Sequence, residues 1–147
     1  MTIKISTGLR NHLAVTGSLR AAFNANSRLS IFGGSEVATA DADATGATLL
    51  CVITGPSSDG LEFEATATGG VLAKLASQAW SGTNLANGTA TWFRFEELGD
   101  GRGASTTQKR IQGNIGTAMG DMVFIQNVLV SGNTKTIDGG GLTIPEM

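Results

Sequence analysis

Tyrosine is missing from this 147-residue chain, and cysteine and histidine occur once each, at Cys51 and His12. A single cysteine excludes an intrachain disulfide. Cys51 sits among large apolar residues in "TLLCVITG" and reads as a small buried hydrophobe, not a reactive thiol. A histidine-based catalytic dyad or triad would have to be built on His12, yet "RNHLAV" holds no acid to orient it. His12 therefore reads as a polar helix position near an interface. One histidine and one cysteine are too few for a zinc site.

Charge is scarce as well. Charged residues make up 15% of the chain, against about 25% in ordinary globular proteins. Ten basic and twelve acidic residues leave a net charge of −2, which gives no electrostatic reason to expect nucleic acid or an anionic membrane as partner. No apolar run reaches membrane-spanning length. The opening "MTIKISTGLR" lacks the apolar core of a secretory signal, so synthesis in the cytoplasm is expected.

What the chain has in quantity is glycine, 21 residues of it, together with short stretches of alternating hydrophobicity. Helical periodicity is confined to "TGLRNHLAVTGSLRAAFN", residues 7–24, where Leu9 and Leu13 share a face. Ser6 or Thr7 is placed to cap its start, Gly17 to end it, and Ser18 to cap a second turn with Leu19, Ala22 and Phe23. Both pieces are too short to hold without docking on something larger.

From Arg28 the period becomes two. "RLSIFGG" and "ATLLCVITG" read as strands, the second apolar on both faces and so central. "LEFEATAT" is the clearest alternation, with Leu61, Phe63, Ala65 and Ala67 set against Glu62, Glu64, Thr66 and Thr68. Further strands are expected in "LASQAWSG", "TATWFRFEE", "KRIQGNIG", "DMVFIQNVLVSG" and "TKTIDGGGLTI", separated by turn clusters such as "GPSSDG" and "GDGRGASTTQ". Residues 35–46 have no clear period and read as a loop. The pattern predicts an all-β fold, an antiparallel β-sandwich or jelly-roll-like arrangement with a short helical N-terminal segment. The expected division is a helical arm over residues 1–26 and a β-sandwich domain over residues 27–147.

The candidate chemical sites are thin. Asp41 and Asp43 in "DADATG" offer paired carboxylates to a hard cation, but the further ligands of a calcium loop are missing. Glu97 and Asp100 in "ELGDGRG" are equally unspecific. Glu62 and Glu64 would lie about 7 Å apart on one strand face, a spacing that suits paired-carboxylate glycoside chemistry, but no aromatic platform accompanies them. "GDGRGAST" lacks the lysine of a phosphate-binding loop, and no helix pattern follows it. No catalytic residue, cofactor or metal site is assigned from the sequence.

The least ordinary stretch is "TWFRFEELGDGRGAST", where Trp92, Phe93 and Phe95 crowd into four positions of a chain with six phenylalanines and two tryptophans. Alternation puts Phe93 and Phe95 on a core face, each burial contributing roughly 1.5–3 kcal/mol. Trp92 then shares the opposite face with Arg94 and Glu96. Two destinations are open to it: packing within the chain, under Trp80 or the N-terminal helix, or a subunit interface, where Trp and Arg are typical anchors. The candidate contact residues are Leu9, His12, Leu13, Trp92, Arg94 and Arg102.

The order of "ISTGLRNHL", "SRLSIFGG", "ADADATG", "AWSGTNLANGTATWFRF", "RIQGNIGTAMGDM" and "TKTIDGGGLTIP", spread over nearly the whole chain, resembles a group of small structural proteins of tailed bacteriophages. The resemblance implies a non-enzymatic virion component made in the bacterial cytoplasm and assembled in many copies, as a capsid decoration, neck/collar or tail-associated protein. Its expected partners are other capsid, neck or tail subunits and copies of itself, with no cofactor, nucleic acid or membrane. A carbohydrate-binding or adhesin-like β-sandwich is the alternative, and a metal-assisted hydrolase using Asp41 or Asp100 comes third.

Overall fold

The computed structural model describes residues 3–144. The chain is mostly β, with antiparallel sheets and short helical turns near its start. Strand β1 (Lys4–Ile5) leads into α1 (Thr7–Asn11), a wider turn over His12–Thr16, and α2 (Leu19–Phe23). The caps fall where the side chains predict. Ser6 Oγ accepts from the Leu9 N–H at 3.1 Å, and Ser18 Oγ from the Ala21 N–H at 3.1 Å.

Leu9 and Leu13 both line one cavity but differ in burial. The Gly17 N–H donates to the His12 carbonyl, five residues back, so the winding widens after His12. Leu9 is fully buried, whereas Leu13 is 40% exposed.

The principal sheet has the order β1–β8–β7–β2–β3, built from β2 (Ser27–Gly33), β3 (Thr48–Ile53), β7 (Trp92–Glu97) and β8 (Arg110–Gly116) around the short β1. All of these pairings are antiparallel. Strand β9 (Met122–Val123) adds in parallel to the end of β8, on the same edge as β1. Three two-stranded ribbons complete the fold. They join β5 (Trp80–Thr83) to β11 (Thr134–Ile137), β4 (Val71–Ala73) to β12 (Gly141–Thr143), and β6 (Gly88–Thr89) to β10 (Val128–Leu129).

The stretch with the cleanest alternation is not a strand. Residues 61–68 hold isolated bridges at Phe63 and Thr68. Leu61 and Phe63 do turn inward, but Ala65 and Ala67 are exposed. The local hydrogen bonds explain this. The N–H groups of Leu61, Glu62 and Phe63 go to the Ser27 carbonyl, Gln78 Oε1 and Asn24 Oδ1, and that of Glu64 to the Ala73 carbonyl, so the segment meets β2 and β4 at single points while side chains take the places of a continuous ladder.

The two faces of the principal sheet differ. On one, Leu29, Ile31, Phe93, Phe95 and Ile111 form the main core with Leu9, Phe23, Phe63 and Trp80. Phe95 meets Phe23 edge-on with centroids 5.1 Å apart. The helices supply Leu9, Ala22 and Phe23 to this core, so the described part of the expected N-terminal arm is docked on the sheet. The other face is covered by the loops 34–47 and 98–109, and it is largely polar.

Candidate functional site

The polar face follows from strand register. Ser30 stands opposite Arg94 and Arg28 opposite Glu96 between β2 and β7, and Arg94 opposite Gln112 and Glu96 opposite Arg110 between β7 and β8. Five of these six residues are buried, and Arg28 is half-buried. Arg110 holds Asp100 bidentately, with Nε–Oδ2 at 2.5 Å and Nη2–Oδ1 at 2.7 Å, and it also donates to the carbonyls of Ala40 and Gly103. Glu96 Oε1 accepts from Arg28 Nε at 2.9 Å and from the Ser30 hydroxyl at 2.6 Å. Arg102 Nε lies 2.9 Å from the same oxygen as an ion contact, and Arg102 Nη2 donates to Ser30 Oγ. Arg94 donates from Nε and Nη2 to Gln112 Oε1 and from Nη2 to the Ala42 carbonyl.

Electrostatics follow from this crowding. Burial pushes the Asp100 carboxyl up, but the hydrogen bonds from Arg110 and the Arg102 N–H, with the Arg110 charge, hold it below its ordinary value. Burial, reinforced by the neighbouring Arg110, lowers the Arg94 guanidinium to about 10. It remains a cation at neutral pH. Every carboxylate expected as a cation ligand in this region has a structural task. Asp41 accepts from the Thr7 N–H and hydroxyl at 2.9 and 2.6 Å, tying the loop to α1. Asp43 closes a local turn on Thr45, and Glu97 accepts from the Lys109 N–H. Among the described residues no three His, Cys, Asp or Glu side chains gather as a metal set.

Trp92 is the other tenant of this face. It stacks on Phe32 with centroids 4.1 Å apart and planes 11° from parallel, in a small second core with Ala44. Val37, Ala47 and Leu49 pack against that pair. The expectation that Trp92 and Arg94 mark a contact surface is corrected here: both are fully buried, because the 34–47 loop folds over them. Leu9 is likewise interior. Arg102 is mostly enclosed in the ion network, and His12 is half-buried with Nε2 3.1 Å from the Ser18 carbonyl. Of the six candidates, Leu13 alone is an exposed apolar side chain.

The exposed apolar surface lies on the other side of the molecule. Two cavities of about 550 and 410 Å³ adjoin there and share Phe95, Asp121, Met122, Gly141 and Leu142 in their walls. Ile3, Ile5, Leu13 and Ile144 line the smaller one, and Val123 and Ile125 the larger. These six side chains are between 40% and 88% exposed. Sequence reading passed over five of them. The available signal was "DMVFIQNVLV", which is apolar at too many successive positions for a strand with one buried face.

No family model matches the chain, nor does any curated protein or solved structure. The surface and the sequence pattern carry the functional reading.

All six phenylalanines and both tryptophans are buried, so no aromatic side chain is free at the surface to stack on a sugar ring. The Cys51 thiol is also interior, and burial raises it to about 11. No helix among the described residues is long and apolar enough to cross a membrane.

Proposed function

We propose that this chain is a non-enzymatic structural subunit of a tailed-phage particle, assembled in multiple copies as a capsid decoration or neck/collar protein. The observation that carries the subunit reading is the set of exposed aliphatic side chains, Ile3, Ile5, Leu13, Val123, Ile125 and Ile144, that line the two adjoining cavities. A monomeric surface of this size leaves large aliphatic side chains exposed singly; contiguous apolar patches mark contact sites. The sequence resemblance supplies the phage setting, and these side chains supply a place for a neighbour. The polar face fits the same role, because its carboxylates are tied to arginines and backbone groups that hold two long loops in place.

The test is peptide mass spectrometry on purified particles from the source culture, scaled to the major capsid protein. Abundance comparable to the capsid protein is expected for a head decoration, and a small number of copies for a neck or collar protein. Absence from intact particles refutes the reading.

A further inference from the structure

The sheet runs on beyond β3. Thr54 and Ser81 exchange both backbone hydrogen bonds at 3.0 Å, which joins β5 to the end of β3, and β5 in turn carries β11. The strands therefore wrap from β9 and β1 through β8, β7, β2, β3 and β5 to β11, and there the pairing stops among the described residues. Strand β11 and the 121–126 segment both line the 550 Å³ cavity. Its floor is Leu29, Phe63, Trp80 and Phe95, part of the main core.

Both segments present main-chain groups that make no hydrogen bond among the described residues. Ser81 points its N–H and carbonyl at Thr54, so its partner Thr136 is in a non-hydrogen-bonded pair with it. The N–H and carbonyl of Thr136 then point away from β5, into the opening. In the other segment, the Phe124 N–H donates to the Gly116 carbonyl at 2.9 Å, in register with Gly116 opposite Val123. In a parallel pair this turns Val123's own N–H and carbonyl away from β8. Val123 is 49% exposed and Ile125 is 88% exposed beside it.

We propose that this seam accepts an extended polypeptide segment as an added strand, with apolar residues at alternate positions and basic residues between them. The unpaired edges select polypeptide over a lipid or a small apolar ligand, since only a second backbone pairs with both segments. Alternate apolar side chains reach the aromatic floor. The charge preference comes from the rim. Asp121 and Asp138 line the opening, Asp121 with Oδ2 accepting from the Asn114 N–H at 3.0 Å, while Lys135, the one cation there, lies over the Phe124 ring at 4.1 Å and reaches the Gln126 carbonyl. A basic segment complements what is left. The strand-addition site stands on this geometry alone; that its donor is a neighbouring subunit rests on the structural reading above.

The test uses the purified full chain and a fluorescein-labelled alternating Val–Lys peptide of about eight residues, long enough to span one strand. Saturable anisotropy is expected, with binding at least about tenfold weaker for three controls: a block peptide of the same composition, an alternating Val–Glu peptide, and the alternating peptide N-methylated at its valines. Thr136→Pro removes one edge N–H that makes no bond to β5 and is expected to weaken binding similarly while leaving the circular dichroism unchanged. Val123→Pro tests the other segment in the same way. Absence of saturable binding, or equal binding by the block or N-methylated peptide, overturns the proposal. The N-methyl comparison needs no variant, so it decides even where a proline substitution unfolds the chain. Peptide binding is independent of particle abundance, so failure here leaves the phage reading to its own measurement.

Discussion

Asp100 and Arg110 form a bidentate ion pair inside the protein, Asp100 on the loop after β7 and Arg110 at the start of β8. Both side chains are about 1% exposed. Arg110 also holds the carbonyls of Ala40 and Gly103, so one guanidinium fastens both covering loops to the sheet. Removing one partner leaves an uncompensated buried charge. Asp100→Ala is expected to lower unfolding stability by about 3–5 kcal/mol, measured as a fall in the urea midpoint. Arg110→Lys is expected to destabilise as well, because an ammonium cannot reproduce the paired donors of the fork. Wild-type stability in both variants would show that the pair does not hold the loops.

The same pair sets an acid limit. Asp100 is held below its ordinary carboxyl value in the folded chain and returns to ~3.9 when unfolded. Its contribution is fully present above the unfolded value and disappears as pH falls through the lower folded value. Urea midpoints for the wild type are expected to fall below about pH 4, and more steeply there than those of Asp100→Asn. Parallel pH profiles for the two proteins would contradict this.

Trp92 separates packing from contact. Trp92→Ala removes the stacking partner of Phe32 and is expected to cost about 3–5 kcal/mol. Trp92→Phe keeps an aromatic plane there and is expected to cost less. Thermal unfolding of the two isolated variants makes the comparison. An alanine variant as stable as the wild type would mean that the 34–47 loop does not cover Trp92.

Cys51 lies between β2 and the β5 ribbon, with its thiol raised to about 11 by burial. Iodoacetamide labelling in native buffer at neutral pH is expected to be negligible, and complete in denaturant. Rapid labelling of the native chain would place the thiol at the surface.

Gly82 brings β5 against β3, since a β-carbon there would collide with the Val52 carbonyl. Gly82→Ala is expected to destabilise by roughly 1–3 kcal/mol through strand displacement. The same variant is expected to weaken binding of the Val–Lys peptide, because β11 is carried on β5. A Gly82→Ala chain with wild-type thermal stability would show that the two strands separate freely.

Much of the strand content was legible locally. Alternation located β2, β3, β7 and β8, and side-chain capping chemistry located both helix starts. The misreadings share one cause. "LEFEATAT" alternates like a strand, but side chains from Gln78 and Asn24 take the backbone donors of Glu62 and Phe63. Alternation sets Trp92 and Arg94 on the face opposite Phe93 and Phe95, yet the 34–47 loop, which has no period to read, turns that face into a second interior. In each case the deciding partner is distant in the chain.

By itself, then, the sequence determined which residues alternate, where the helical turns begin, and that Phe93 and Phe95 enter a core, because these depend on a period of two or on contacts within four residues. Only the tertiary structure decided what covers each face, which carboxylate meets which arginine, and where the sheet stops. Those outcomes depend on pairs such as Arg110 with Ala40, and Thr54 with Ser81, whose meeting is a consequence of strand order and not of any local pattern.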